Sequence, residues 1–349
     1  MTASDITVEL SDDLDQFQQE AMDRSWGDGL PMIPPTADRV RAFCDTVELA
    51  ADHELARLGP GWGIATVEKV ATNAVMAGCL PAHFPLVIAA VHGVAQTSFN
   101  LYGIQATTNP VTPFVMVNGP RRAELGLNYD AGAFGPGCRA NATIGRALRL
   151  VLLNIGGARP GGLDRATQGF PGKYTFCAAE HEERNPWTPY HVERGFSPDD
   201  TTVTVFGVQG YHNIIDLTAV DARELLDMLA AGMAAVGTNN MTHGGQALVV
   251  LSPEHAEQMR RDGFDKDEIR RYLWERARID LSRLPSRFQE FMTTRRPSWV
   301  DQTRLPITDE PSEIQIVVVG GPGIHSAFLP MFGSTRAVTV KIDGLETVD

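Results

Sequence analysis

Cysteine is scarce in this chain and badly spaced for staples: four residues in 349, at positions 44, 79, 138 and 177. No C-x-x-C pair, zinc-ribbon spacing or disulfide framework can be drawn from them. Free thiols in a chain of this size predict a reducing, cytoplasmic setting. Long apolar runs are also missing. Segments 86–91 and 316–319 fall far short of the ~20 residues a bilayer-spanning helix needs. The first ten residues are polar and acidic rather than a leader with an apolar centre. There is no basic stripe: 43 Asp and Glu face 30 Lys and Arg, a net charge of −13. That balance argues against nucleic acid and against anionic membrane surfaces. No G-x-G-x-x-G or Walker motif occurs, and no low-complexity tract.

What is present is ordinary globular composition, 43% hydrophobic, enough for one large or two medium domains. Apolar periodicity predicts helices over 12–24, 37–51, 66–79, 81–97, 139–156, 221–236, 253–262 and 265–279. Thr36 reads as an N-cap and Pro81 as a first-turn residue. Short apolar runs predict strands at 113–118, 203–208, 247–251 and 314–319. Residues 280–312 read as a connector. The alternation predicts an α/β fold with two related lobes around a central cleft: an N-terminal extension over 1–60, a first lobe over 61–200 and a second over 201–349. One internal echo supports duplication. Gly78-Cys79 and Gly263-Phe264 each precede a helix, then an apolar strand and a Gly-Pro turn.

Residues 164–196 concentrate reactive groups in a stretch without helical or strand periodicity. They hold Cys177, Lys173 (one of four lysines), His181, His191 and four glutamates, Glu180, Glu182, Glu183 and Glu193. Long irregular segments of this kind are often functional. A thiolate at Cys177 needs a nearby cation. Lys173 and His181, four residues to either side, would flank it if the segment were helical, with His191 as acid or base. The alternative is a buried, inert thiol. Glu180, Glu183 and His191 could instead hold a divalent metal, or form a solvated acidic turn.

Other segments offer binding groups. Gly135-Pro-Gly-Cys138 opens a helix whose first turn, with Arg139 and Asn141, suits an anion. Cys138 would feel the same field. Gln105, Thr107, Thr108 and Asn109 precede a strand and suit substrate orientation. His325 and Ser326 follow a glycine-rich turn after a strand, and Gly333–Arg336 is a second polar loop. The histidines at 53, 83, 92 and 255 read as filler, and His212 as a marginal candidate.

The strings Trp26-Gly-Asp-Gly-Leu-Pro-Met-Ile-Pro-Pro-Thr36, Tyr102-Gly-Ile-Gln-Ala-Thr-Thr-Asn-Pro110, Arg139-Ala-Asn-Ala-Thr-Ile-Gly-Arg-Ala-Leu-Arg149, 168–177 and His191-Val-Glu-Arg-Gly-Phe196 resemble a bacterial family associated with UGSC-type (seleno)proteins. The resemblance spans about residues 20 to 340. This chain lacks a Cys-Gly-Ser-Cys pair; Phe332-Gly-Ser-Thr335 is a distant look-alike. The resemblance therefore implies that a separate small Cys/Sec redox protein would supply such a motif. It favours Glu180 and His191 over His181, and it includes Cys177.

The leading expectation is an enzyme acting on a small polar or anionic metabolite, by thiol-dependent hydrolysis or transfer or by carbon–heteroatom cleavage. Cys177, His191, Glu180 and Lys173 would be catalytic. Arg139, Asn141, Gln105, Thr108, Asn109, Tyr174, His325 and Ser326 would bind substrate. No cofactor is required, though a divalent metal is allowed. A homodimer is the default assembly. The alternatives are a non-catalytic subunit that binds a small Cys/Sec redox protein, and a metal-dependent hydrolase or lyase on Glu180, Glu183 and His191.

Overall fold

A computed structural model describes residues 13–299, 303–345 and 347–348. Two helices open it, α1 (Leu14–Asp23) and α2 (Ala37–Cys44), followed by a hairpin of β1 (Glu54–Leu58) and β2 (Gly63–Thr66). Next come α3 (Val67–Ala77), α4 (Phe84–Ala95), α5 (Leu101–Ala106), β3 (Thr112–Asn118), α6 (Arg121–Glu124), α7 (Arg139–Asn154), β4 (Cys177–Ala179), α8 (Tyr190–Glu193) and β5 (Thr202–Val208). The second half contributes β6 (His212–Ile215), α9 (Ala222–Met233), α10 (Asn239–His243), β7 (Ala247–Leu251), α11 (Pro253–Arg261), α12 (Lys266–Arg276), β8 (Arg278–Asp280) and α13 (Ser286–Arg295). It ends with β9 (Arg304–Pro306), β10 (Ile314–Val318), β11 (His325–Pro330), β12 (Val338–Lys341) and β13 (Thr347–Val348).

The fold is mixed α/β in four layers. One sheet runs β13-β12-β5-β3-β4 and the other β10-β7-β11-β6. Side chains alternate across each strand, and apart from the edge strands β6 and β13 both faces of both sheets are buried. Phe114, Met116, Ala178, Phe206 and Val208 of the first sheet meet Leu248, Val250, Val317, Ala327 and Leu329 of the second. Phe114 anchors this middle layer against Phe176 (ring centroids 4.5 Å) and Phe206 (5.9 Å). Each such buried side chain contributes about 1.5–3 kcal/mol. The outward residues Val115, Val117, Cys177, Val203 and Val205 pack under α3, α4 and α7. Val249, Leu251, Ile316 and Val318 pack under α9, α11 and α12.

That burial explains why α4 is apolar all round: it lies between the first sheet and its covering helices. No single helix among the described residues is long and apolar enough to cross a membrane. Helix α7 lies close on β4 because position 145 is glycine. A Cβ there would stand 2.5 Å from Thr175 Oγ1 and 2.8 Å from Phe176 N.

The two halves meet through a packed core, not around an open central cleft. Both sheets share a plan: a central strand with a parallel neighbour reached over helices, and an antiparallel neighbour on its other side. β3 pairs with β4 and β5; β7 pairs with β10 and β11. The echo read in the sequence does not coincide with this plan. It equates strand 113–118, which is interior, with 314–319, which forms a sheet edge; the counterpart of β3 is β7. Shared strand order does not by itself establish duplication. Nor does residue 200 divide the sheets, since β5 and β12 complete the first one. The expected helix over 37–51 stops at Cys44, and the connector 280–312 carries α13 and the β8–β9 hairpin.

Two of the motif strings lock together. Arg146 on α7 grips Asp28 with two nitrogens, Nε at 2.7 Å and Nη2 at 2.8 Å, and donates to the Leu30 and Pro31 carbonyls. The Trp-Gly-Asp-Gly-Leu-Pro turn is thus a clamp for the N-terminal segment, bidentate and largely buried.

Candidate functional site

The segment 164–196 does not gather into one site. It runs alongside β3 from end to end, because β4 pairs parallel to it with Cys177 opposite Val115. Thr112, at the start of β3, donates to the Gly172 carbonyl. Asn118, at its end, donates to Glu180. Seven residues of strand place those two ends roughly 20 Å apart. Lys173 therefore belongs to one rim of the sheet, and Glu180 with His191 to the other.

Cys177 lies between them, turned toward the helices. Its thiol is 4% exposed, next to Gly145, Cys79 and Cys138, and burial pushes its pKa up. A thiol so placed is not a nucleophile. Neither expected activator reaches it as read. Residues 173–181 are a turn and a strand rather than a helix. Lys173 instead pairs with Asp164, Nζ–Oδ2 2.7 Å. Cys177 and Lys173 are therefore not placed for the catalytic roles expected of them.

Glu180 is completely buried where the two sheets join. Asn185 Nδ2 (2.9 Å) and Val318 N (3.4 Å) donate to Oε1; Asn118 Nδ2 (2.5 Å) and Tyr190 N (2.8 Å) donate to Oε2. Its own N–H goes to Val117 O, and the next N–H, of His181, to Val318 O. One residue thereby ties β3, β4 and β10 together. Burial raises its pKa against the opposing pull of Lys266, the Tyr190 N–H and the Asn118 amide. With every lone pair engaged, Glu180 is a structural bolt rather than an acid or base.

Beside it stands a cluster with unmet hydrogen-bonding capacity. Glu182 Oε1 accepts from Asn118 Nδ2 (2.9 Å) and Gly119 N (2.7 Å), and Oε2 lies 3.4 Å from Arg122 Nη1. Position 119 must be glycine: φ is +93°, and a Cβ would stand 2.1 Å from Asp200 O. Arg122 stacks on Tyr129, 5.1 Å from the ring centroid, and also pairs with Glu183. His191 Nδ1 is 3.9 Å from Glu182 Oε1. The imidazole is completely buried and neither nitrogen has a hydrogen-bond partner. The Pro198 carbonyl favours its charged form without completing a bond. Burial lowers the His191 pKa, Glu182 and Asp200 oppose this, and Arg122 adds to it. Asn118 Oδ1 and, on the paired residue of β5, Thr202 Oγ1 are also buried without partners. Buried polar atoms are rarely left so, and four at one rim call for enclosed water or a small polar ligand. The place fits α/β logic, at the carboxyl ends of β3 and β4.

The remaining candidates disperse. Arg139 Nε caps α3 at Gly78 O. Asn141 is consumed by Asn128 and Ala133, and Cys138 caps α7 while its thiol meets Gly126 O. Thr108 takes Thr167 N on its carbonyl, and Tyr174 is exposed. His181 Nδ1 sits 3.1 Å from Gly320 O. Exposed His325 pairs with Asn213, and His212 is exposed. Ser326 is buried, its hydroxyl 2.8 Å from His255 Nδ1. The metal set does not converge either. Glu180 is saturated, Glu183 is half exposed on Arg122, and no group of three His, Cys, Asp or Glu among the described residues is placed to hold a metal ion.

A pocket of about 490 Å³ opens at the opposite rim, between His243, Gln246, Arg295, Thr335 and Arg336. Its acidic walls are already engaged, Asp309 by Arg296 and Glu313 by the Asp309 and Glu310 N–H groups. The unmet groups at His191 are therefore the stronger indication of chemistry. Sequence reasoning found His191 but missed Asn118, Arg122 and Thr202, which come from separate elements and carry no motif; Glu182 was counted without a role. The chain matches no known family model and no curated protein.

Proposed function

We propose that the chain is an enzyme acting on a small polar or anionic molecule by acid–base chemistry at His191, rather than through a thiol. The observation that carries this reading is a fully buried imidazole with both nitrogens unpartnered, 3.9 Å from a carboxylate. Lowered in pKa, His191 is neutral near pH 7 and available as a proton acceptor. Glu182 stabilises the imidazolium that forms, and Arg122 holds Glu182 in place. Asn118 Oδ1 and Thr202 Oγ1 offer an acceptor and a hydroxyl beside it. Unpartnered acceptors and a hydroxyl at a buried imidazole suit activation of a water molecule, hence hydrolysis or the addition or elimination of water.

The test is a panel of small esters, amides, hydroxy acids and unsaturated acids, turned over by the native protein, His191→Gln and Cys177→Ala. The expected result is turnover by native protein and Cys177→Ala, with a loss of at least about a hundredfold in His191→Gln. Activity retained in His191→Gln, or lost only in Cys177→Ala, overturns the proposal.

A further inference from the structure

At the other rim, where α5 and α7 meet the turn at 171–173, a buried cation, Arg149, and a partly buried one, Lys173, share one carboxylate. The Arg149 guanidinium donates Nε to Lys173 O (3.1 Å) and Nη1 to Gln105 Oε1 (3.2 Å), and its Nη2 lies 3.8 Å from Asp164 Oδ2. Lys173 Nζ lies 2.7 Å from the same Oδ2 and 3.0 Å from Oδ1. The side chains of Arg149 and Asp164 are 8% and 4% exposed; Lys173, at 14%, is the member nearest the surface. Among the described residues, Asp164 is the one carboxylate within ion-pair distance of either cation. Two positive charges against one negative leave a net +1 in a buried place. Burial lowers both cations, Arg149 to about 10, so the guanidinium stays charged at neutral pH.

A buried charge without a counter-charge is costly. A second, independent sign stands beside it. Gln105 is 1% exposed, and while its Oε1 accepts from Arg149, its Nε2 is buried with no acceptor. The cluster thus has an excess of positive charge together with a spare amide donor. Its missing component is an acceptor bearing one negative charge. Phosphate, at −1.5 to −2, would over-compensate, whereas a carboxylate balances the charge and takes N–H donors in its plane.

We propose that Gln105, Arg149 and Lys173 form a binding site for the carboxylate of a small molecule, about 20 Å from His191 and independent of it. Asp164 orients the two cations and tunes their net charge to +1.

The experiment is titration of the native chain with propionate at constant ionic strength, followed by calorimetry and by Tm, with sulfate and chloride as comparisons. Saturable, carboxylate-selective binding is expected. Gln105→Leu removes the donor and keeps the charge, and should weaken propionate at least about tenfold. Lys173→Met leaves Arg149 and Asp164 balanced one to one, and should abolish binding. Their circular dichroism and unliganded melting show whether each variant is folded, and either variant alone suffices. No saturable binding, equal binding of sulfate, or unchanged affinity in a folded variant overturns the proposal. His191→Gln should bind propionate as the native chain does, which separates this site from the acid–base site.

Discussion

The His191 imidazole stands 3.9 Å from the Glu182 carboxylate with no hydrogen bond between them, although both are held in the interior. Glu182 spends its lone pairs on Asn118, Gly119 and Arg122 instead. The carboxylate therefore acts on the ring through charge alone, which makes its effect measurable by titration. His191 should titrate below the ordinary 6.5 by NMR of the labelled imidazole. Glu182→Gln removes a charge that favours the imidazolium, so the value should fall further. A rise in that variant would show that Glu182 is not the dominant opposing charge.

Stability should carry the same signature. The folded chain takes up the His191 proton less readily than the unfolded chain. Its contribution is therefore present above pH 6.5 and lost as pH falls from there through the folded value. His83, His92 and His255 are lowered by burial too and act in the same direction. The informative quantity is thus the difference between native protein and His191→Gln in urea unfolding from pH 5 to 8. The variant should show a shallower acid loss, by at most about 1.4 kcal/mol per pH unit.

Glu180→Ala should be among the most destabilising single changes in the chain. It removes the acceptor of the Tyr190 and Val318 N–H groups and of the Asn185 amide at the junction of the sheets, and leaves Asn118 with Glu182 alone. The cost should be on the order of 3–5 kcal/mol in chemical denaturation. A cost under 1 kcal/mol would mean that water replaces the carboxylate.

Alkylation should divide the cysteines by environment. Cys44 and Cys138, both partly exposed, should react with iodoacetamide in the native protein. Cys79, with its thiol pushed up to about 12, and Cys177 should react only on unfolding. Rapid native labelling of Cys177, read by peptide mass spectrometry, would contradict its place in the core.

Arg146→Lys tests the clamp on the Trp-Gly-Asp-Gly-Leu-Pro turn. Lysine keeps the charge but not the paired donors that meet Asp28. A loss of about 1–3 kcal/mol is expected, together with faster proteolysis at residues 24–36.

Much of the fold was legible because it is written in local patterns. The apolar stripe of Ile144, Leu148 and Val151 marked α7, and the runs that became β3, β7 and β10 were mostly apolar because both faces of these strands are covered. The short strands were not legible. β4 has three residues and exists through its pairing with β3, a partner 62 residues away that leaves no local mark. The same limit divides the site. His191 was visible as a histidine in an irregular segment, but Asn118 and Thr202 are brought opposite each other only through strand register. Lys173 and Cys177 were grouped by spacing along the chain, and spacing misleads where the chain runs straight. His255, read as filler, is buried on Ser326, a contact between residues 71 apart in the chain.

β12 lies between β5 and β13, so an inner strand of the first sheet comes from residues 338–341. During synthesis the hydrogen-bonding edge of β5 has no native partner until translation passes position 341. The chain must be made past residue 341 before this sheet is closed, and until then that edge is open to other chains. The order of translation and the order of assembly are thus opposed in this protein, and its yield in the cell should depend on how well that waiting edge is shielded.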